Sequence, residues 1–320
     1  MRSFNYLVAE NLQASLAQYA EGGAVLKAGG LDLVGRMKER LEAPETVLSI
    51  GSLKELAYIR EDRARVMRIG CLTTLADMGR SELLKKRATA LHQAAAETAT
   101  PQVRERATLG GNLCQRPHCW YFRNREFECL KKGGPVCFAP QGENQYHAIL
   151  GGGPCFIVHP SNCAVPLVAM DAEFALASAD GERSVKAAEF FVLPRQSLLK
   201  ENVLAENEIL KEVVIPHPPE RSAIVELREK QTFDWPIAMA AAAQAAGRWR
   251  VCLGAVAPVP WLSKPANDLL GSKQITEKLA LEAGEAAASE ASPLSENGYK
   301  VQLVKVAVKR ALLAAAGLET

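Results

Sequence analysis

Residues 108 to 119 read TLGGNLCQRPHC. A threonine, two glycines and an asparagine stand where a backbone could approach a phosphate, and Cys114 and Cys119 follow at once. Thr108 can donate a hydroxyl, Gly110 and Gly111 can donate amides, and Asn112 can hydrogen-bond in either sense. The stretch reads as a phosphate loop, as the opening of a metal site, or as both. The plain alternative is a turn.

The residues beyond Cys119 favour a metal. Of eight cysteines, six (Cys114, Cys119, Cys129, Cys137, Cys155 and Cys163) crowd into residues 114 to 163. From Cys119 the spacing is C-x9-C-x7-C, then 17 residues to Cys155. These are not CxxC pairs, which disfavours a zinc ribbon or finger. Iron–sulfur clusters take thiolates, usually four for 4Fe-4S, and a wrapping loop can space them irregularly. Arg116, Arg123, Arg125, Lys131 and Lys132 lie among these cysteines, and cations would offset the charge of a thiolate cluster. Buried free cysteine is the alternative. It suits Cys71 in IGCLTTL and Cys252 in RVCLGAV, but not Cys119, Cys129 and Cys137 among charges and glycines. In a small secreted chain such crowding would suggest disulfides. A 320-residue chain can instead stabilise itself by core burial.

Composition sets the frame. Hydrophobic residues make up 48% and charged residues 23%, ordinary for a globular chain of about two domains. The net charge of +2 argues against nucleic acid as the main partner. No apolar run approaches the about 18 to 20 residues that span a bilayer. The start, MRSFNYLVAENLQASLAQYAEGG, has no basic region leading into an apolar block. The expectation is a cytoplasmic chain, with export into the periplasm alongside a signal-bearing partner as the alternative.

Upstream, NLQASLAQYA has helical spacing, and VLKAGGLDLVGRMKERL runs from an apolar segment through Gly29 and Gly30 into an amphipathic helix. Glycines before a helix N-terminus admit phosphate; an ordinary strand-to-helix turn is the alternative, and GxGxxG is absent. ETVLSI predicts a short strand, MRIGCLTTLADM a strand leading into a helix, and residues 83–100 one alanine-rich helix ended by Pro101. HAIL and CFIVH predict strands, and PLVAMDAEFALAS with ADGERS a strand and hairpin turn. EILKEVVIP and RWRVCLGAVA predict strands, IAMAAAAQAA and QLVKVAVKRALLAAAG helices. Polarity around 181–201 suggests a boundary, giving domains 1–180 and 181–320 with a loop insertion at about 114–155. Irregular alternation of elements suggests α+β. His92 and His118 read as structural or loop residues, while His159, at a strand end in FIVHPSN, could face a ligand.

Taken in order, FNYLVAENLQASL, KAGGLDLVGRMK, RERATLGGNLCQR, FIVHPSNCAVPLVAMDAEF and GAVAPVPW resemble the FAD-binding medium subunit of the molybdenum hydroxylases, the xanthine dehydrogenase and carbon monoxide dehydrogenase family, over nearly the whole chain. The segment from Cys119 to Cys155 resembles a branch with an additional 4Fe-4S cluster, which includes three-subunit aldehyde oxidoreductases and 4-hydroxybenzoyl-CoA reductase. CWYFR, GENQYHAILG and HPSN lean toward the aldehyde oxidoreductases.

The resemblance implies a two-part FAD-binding domain like that of vanillyl-alcohol oxidase, then an α+β domain like the carbon monoxide dehydrogenase flavoprotein C-terminal one. FAD would be held by Lys27, Ala28, Gly29, Gly30, Leu31, Asp32, Leu33 and Val34, by Thr108, Gly110, Gly111 and Asn112, and near His159, Ser161 and Asn162. Cys119, Cys129, Cys137 and Cys155 would hold the cluster, leaving Cys114 and Cys163 outside it. Asp234 and Lys230 would lie near the isoalloxazine. Partners would be a large molybdenum-cofactor subunit, a small subunit with two 2Fe-2S clusters, and an external electron carrier. The sequence departs from the pattern at Leu31, where threonine is common, and at Asn162, where an acid is usual. A stand-alone flavin oxidoreductase, the flavin subunit of an aromatic acyl-CoA reductase and a zinc-stabilised interaction module are the rival readings.

Overall fold

The structure is a computed structural model describing residues 1–319. Its strands form three sheets. β1 (Asn5–Val8), β3 (Thr46–Ser49) and β2 (Ala24–Lys27) make a parallel sheet in the order β1-β3-β2. β4 (Ile59–Glu61), β5 (Met67–Gly70), β8 (Ile209–Ile215), β6 (Glu173–Ser178) and β7 (Gly181–Lys186) make an antiparallel sheet in the order β4-β5-β8-β6-β7. β12 (Trp261–Leu262), β11 (Arg248–Gly254), β10 (Ala238–Ala245) and β9 (Arg221–Leu227) make the third, also antiparallel. The polar stretch that suggested a division at 181 contains β7, the outer strand hydrogen-bonded to β6, and β8 pairs with β6 from the other side.

β2 ends at Lys27, and the chain turns through Gly29 and Gly30 into the helix Leu31–Lys38. Gly30 takes φ +85°, a left-handed conformation that costs glycine little. That βα turn packs against the segment just before the short helix Leu109–Leu113. A Cβ on Gly29 would collide with the carbonyl of Arg106, just before the second glycine pair. The predicted strand-to-helix order is thus realised at β2, and at β5 with the helix Leu75–Arg80.

Several expectations are corrected. IAMAAAAQAA is not a helix but the central strand β10. Its even alanines, Ala238, Ala240 and Ala242, face a core with the helices Glu277–Ala288 and Tyr299–Ala316; its odd positions, Met239, Ala241 and Ala243, join the core of the N-terminal sheets. Alanine's helical preference is weaker than the cross-strand pairing and two-faced burial available here. Replacing Ala241 by leucine is expected to overpack that face and cost about 1–3 kcal/mol, read as a lower denaturant midpoint.

The predicted helix over 83–100 breaks at Ala88 into Glu82–Arg87 and Thr89–Glu97, and Pro101 opens the helix Pro101–Arg104 rather than ending its predecessor. PLVAM lies within and just past the helix Ala164–Ala169, whereas EFALAS is β6 as expected. HAIL and CFIVH, expected as strands, form none: HAIL runs through bends and CFIVH has no regular structure. Ile149 and Leu150 donate to the Val256 carbonyl and His159 to Ala257, which docks the cysteine-rich loop on the C-terminal half.

Candidate functional site

A cleft of about 1010 Å³ opens where the two glycine turns meet. Its walls include residues 27–33, Thr108, Gly110, Gly111 and Asn112, with Asn162, His118 and Trp235. The two glycine segments singled out in the sequence thus line one cleft. Val34, His159 and Ser161 are not among its walls.

The two turns do different work. At the first, the amides of Gly29 and Gly30 have no partner among the described residues, and Gly30 caps the helix Leu31–Lys38 without a side-chain hydrogen bond. Free amides and the positive end of the helix therefore face the cleft. At the second, Gly110 already donates to Cys71 O (2.8 Å) and Gly111 to Thr108 Oγ1 (3.2 Å). The expectation that both donate to a ligand is corrected: these glycines permit close packing, and Thr108 caps its own short helix.

Asp32 in the first helical turn would repel a phosphate if free. Its Oδ1 accepts from Arg123 (2.6 Å), and its Oδ2 from Arg36 Nε (3.0 Å) and the Arg116 amide (3.2 Å). Burial pushes its pKa up, but Arg36 and Arg123 outweigh that and hold it below the usual carboxylate value. Asp32 therefore reads as a strut to the cysteine-rich loop rather than a ligand group. Arg116 also grips Glu201 (2.9 and 3.1 Å). The arginines expected to offset a cluster's charge are committed to carboxylates instead.

Behind the cleft, Asn112 Oδ1 accepts from Ser161 Oγ (2.6 Å), tying the second turn to PSNC. His159 is buried, its ring edge-on to Phe191 at 4.6 Å, and burial with nearby Lys131 lowers its pKa to about 3. The ring is therefore held neutral; its Nδ1 accepts from the Ser161 amide (3.3 Å), and its Nε2 is buried without a partner among the described residues. Asn162 Nδ2 donates to Glu226 (2.8 Å), a buried carboxyl whose pKa burial raises despite Arg228. This explains the departure at 162: an acid there would confront a second buried carboxylate. A folded carboxyl with a raised pKa binds more protons than the unfolded one, so its contribution falls as pH rises from the ordinary carboxylate range through the raised value. Asn162→Asp is expected to steepen that loss. Its melting temperature should drop below that of the parent chain by more at neutral pH than in mild acid, and an equal drop at both would refute the account.

Asp234 and Lys230 lie outside the cleft walls. Asp234 accepts from the amides of Lys230 (3.1 Å) and Trp235 (2.9 Å), closing a turn that presents Trp235. Trp235 is 52% exposed and packs on His118 at 4.4 Å between ring centroids, at the cleft edge. An exposed tryptophan next to a structural Asp was the available signal in KQTFDWP, and sequence reasoning missed it.

The four cysteines singled out by the resemblance line one small, tightly packed cavity of about 10 Å³, together with His147, Lys131 and Phe122. Cys119 precedes the helix Trp120–Arg123 and Cys129 the turn Leu130–Lys132. Tyr121, Phe127 and Phe138 wall the outer side with centroid separations of 5.0 to 5.9 Å. No three His, Cys, Asp or Glu side chains among the described residues come together as ligands of a single metal ion. Cys114 lies on the cleft between the glycine turns and Cys163 in the core, both apart from the cavity. Burial pushes Cys119 up to about 11, and a hydrogen bond shared with Cys155 brings Cys137 down to about 6 while raising Cys155. Thiolate ligation would release protons from these groups. Lys131, 3% exposed, is the one cation lining the cavity among the described residues, held by Glu201 (2.9 Å) and the Leu198 carbonyl (2.8 Å). His147 was missed; nothing in QYHAIL marked it.

Known proteins agree with this architecture. The family model described as the FAD binding domain in molybdopterin dehydrogenase matches residues 2–218, and that of the CO dehydrogenase flavoprotein C-terminal domain matches residues 228–315. The chain belongs to the FAD-binding subunits of the molybdenum hydroxylase family, an oxidoreductase flavoprotein subunit of α+β fold. It is 30% identical over 313 residues to the aldehyde oxidoreductase FAD-binding subunit PaoB of Escherichia coli (strain K12), covering 95% of this chain and 96% of that protein. It is 27% identical to the carbon monoxide dehydrogenase medium chain of Hydrogenophaga pseudoflava, covering 98% and 96%. A solved carbon monoxide dehydrogenase from Hydrogenophaga pseudoflava superposes with a TM-score of 0.75 at 26% identity, covering 99% of this chain and 98% of that one. No helix among the described residues is long and apolar enough to cross a membrane.

Proposed function

We propose that this chain is the electron-transfer subunit of an aldehyde oxidoreductase-like molybdenum complex, carrying FAD in the cleft and a 4Fe-4S cluster on Cys119, Cys129, Cys137 and Cys155. The observation that carries the cluster is the shared cavity, which all four thiols line without a carboxylate. Four thiols, with one imidazole and no carboxylate beside them, suit iron–sulfur chemistry. The absence of a mononuclear cluster of ligands is compatible, because a cubane holds each thiolate on a different iron. Lys131 stands beside the cavity as a buried cation.

For FAD, the free amides of Gly29 and Gly30 and the start of the helix Leu31–Lys38 would take the diphosphate, with Lys27 adding charge. Thr108 and Asn162 would meet the flavin side, and Asp234 would hold Trp235 against it. Bound FAD and an iron–sulfur cluster supply electron exchange; the protein supplies placement and electrostatics. Seven residues from Asn112 to Cys119 span at most about 25 Å, so the two sites lie near each other. The large molybdenum subunit and the small 2Fe-2S subunit would complete the complex, and an external carrier would meet this chain.

Metal and flavin analysis of the purified chain tests this. About four irons and one FAD per chain are expected from the ligand count. Cys137→Ser is expected to lose most iron and the broad visible absorbance while keeping FAD. Stoichiometric zinc, or unchanged iron in Cys137→Ser, would sink the cluster reading.

A further inference from the structure

The geometry points to His147 as a hydrogen-bond donor to the Cys119 sulfur, a positioning residue that sets the reduction potential of the cluster and is itself held by the C-terminal helix. This inference rests on the cluster reading above. His147 Nε2 lies 3.3 Å from Cys119 Sγ, and the ring faces the cavity that the four cysteines line. The other ring nitrogen, Nδ1, is buried with no partner. We assign the proton to Nε2 from that asymmetry. A proton on Nδ1 would be a buried donor facing nothing, whereas a proton on Nε2 leaves only a buried acceptor and points at sulfur. A ligating thiolate has no proton of its own, so it can only accept.

The ring's backbone is fixed to an unusual degree. The His147 carbonyl accepts from Lys300 Nζ (3.1 Å) and Asn297 Nδ2 (3.2 Å). Lys300, 1% exposed, gives its other two protons to the carbonyls of Tyr146 (3.0 Å) and Ala255 (2.7 Å). Asn144, whose carbonyl takes the His147 amide, is locked to Glu296 in both directions and to Ser295. Three buried polar side chains, with Asn144 and Glu296 each accepting the other's backbone amide on its side chain, thus pin residues 144–147 to residues 295–300. Such an investment in one short loop is explained if the ring it carries must keep its place.

A donor to a ligand sulfur favours the more negative, reduced cluster, so its removal lowers the potential. The test compares the full-length chain with His147→Leu and His147→Gln, by iron content, flavin content and redox titration followed by electron paramagnetic resonance. His147→Leu is expected to keep about four irons and to reduce about tenfold less favourably, a fall of about 59 mV for one electron. His147→Gln, which restores an N–H, is expected to recover at least half of that shift. An unchanged potential in His147→Leu overturns the inference. If His147→Leu holds no iron, His147→Gln decides: parental iron content supports a donor, and loss in both variants overturns it in favour of an iron ligand. An iron-free parent chain would instead overturn the cluster reading, and this inference with it.

Discussion

A Gly29→Val chain is expected to purify without flavin. The added side chain has nowhere to go, because even a Cβ at this position runs into the Arg106 carbonyl. The collision is with backbone, so no rotamer change relieves it; the two glycine turns must part. Parting them displaces the free amides of Gly29 and Gly30 from the cleft that Thr108 and Asn112 also line. We expect FAD affinity to fall at least about a hundredfold, about 3 kcal/mol, with a further overpacking cost of about 1–3 kcal/mol in stability. Flavin absorbance per chain and the melting temperature measure both. Gly298→Ala, where a Cβ meets nothing within 4 Å, is the control. A Gly29→Val chain with full flavin would show that the contact between the turns does not shape the site.

Glu201→Ala is expected to loosen the cysteine-rich loop and to destabilise the chain by about 3 kcal/mol. Glu201, 7% exposed, is shared by Arg116 at 2.9 Å and Lys131 at 2.9 Å, and Lys131 is almost wholly buried. Removing the carboxylate leaves a buried ammonium without its counter-charge, the case in which breaking a buried pair is costly, about 3–5 kcal/mol. The lower end applies because the Arg116 side chain keeps contact with water. Denaturant unfolding of Glu201→Ala against Glu201→Gln separates charge from shape. Lys131→Met combined with Glu201→Ala should restore much of the loss, and a double variant as unstable as the sum would refute the coupling.

The parts of this molecule that were legible in its sequence are those fixed by neighbouring residues. Gly29–Gly30 between an apolar segment and an amphipathic run, and Cys119 to Cys155 in a segment without apolar period, each carry their signal locally. What escaped is set by residues distant in the chain. The alanines of β10 look helical in isolation and become a strand because Ala223, Ile224 and the Trp249–Gly254 segment flank them. Asp32 looked like a ligand group until Arg123, 91 residues on, was seen to hold it. His147 owes its place to Lys300, 153 residues away. The donor duty assigned to Gly110 and Gly111 failed for the opposite reason: their amides are used within a few ångströms, by Cys71 and Thr108.

The strand β10 has a further consequence. Its even positions belong to one core and its odd positions to the other. The two halves of the molecule are therefore not tiles with a seam between them but rooms on either side of a single wall, one residue thick. A change of tenant on one side, a bulkier helix or a different ligand, presses on the other through the same row of methyl groups. Modularity stops at that wall: a C-terminal half exchanged from a distant relative would bring its own β10, and with it a new face for the flavin half to pack against.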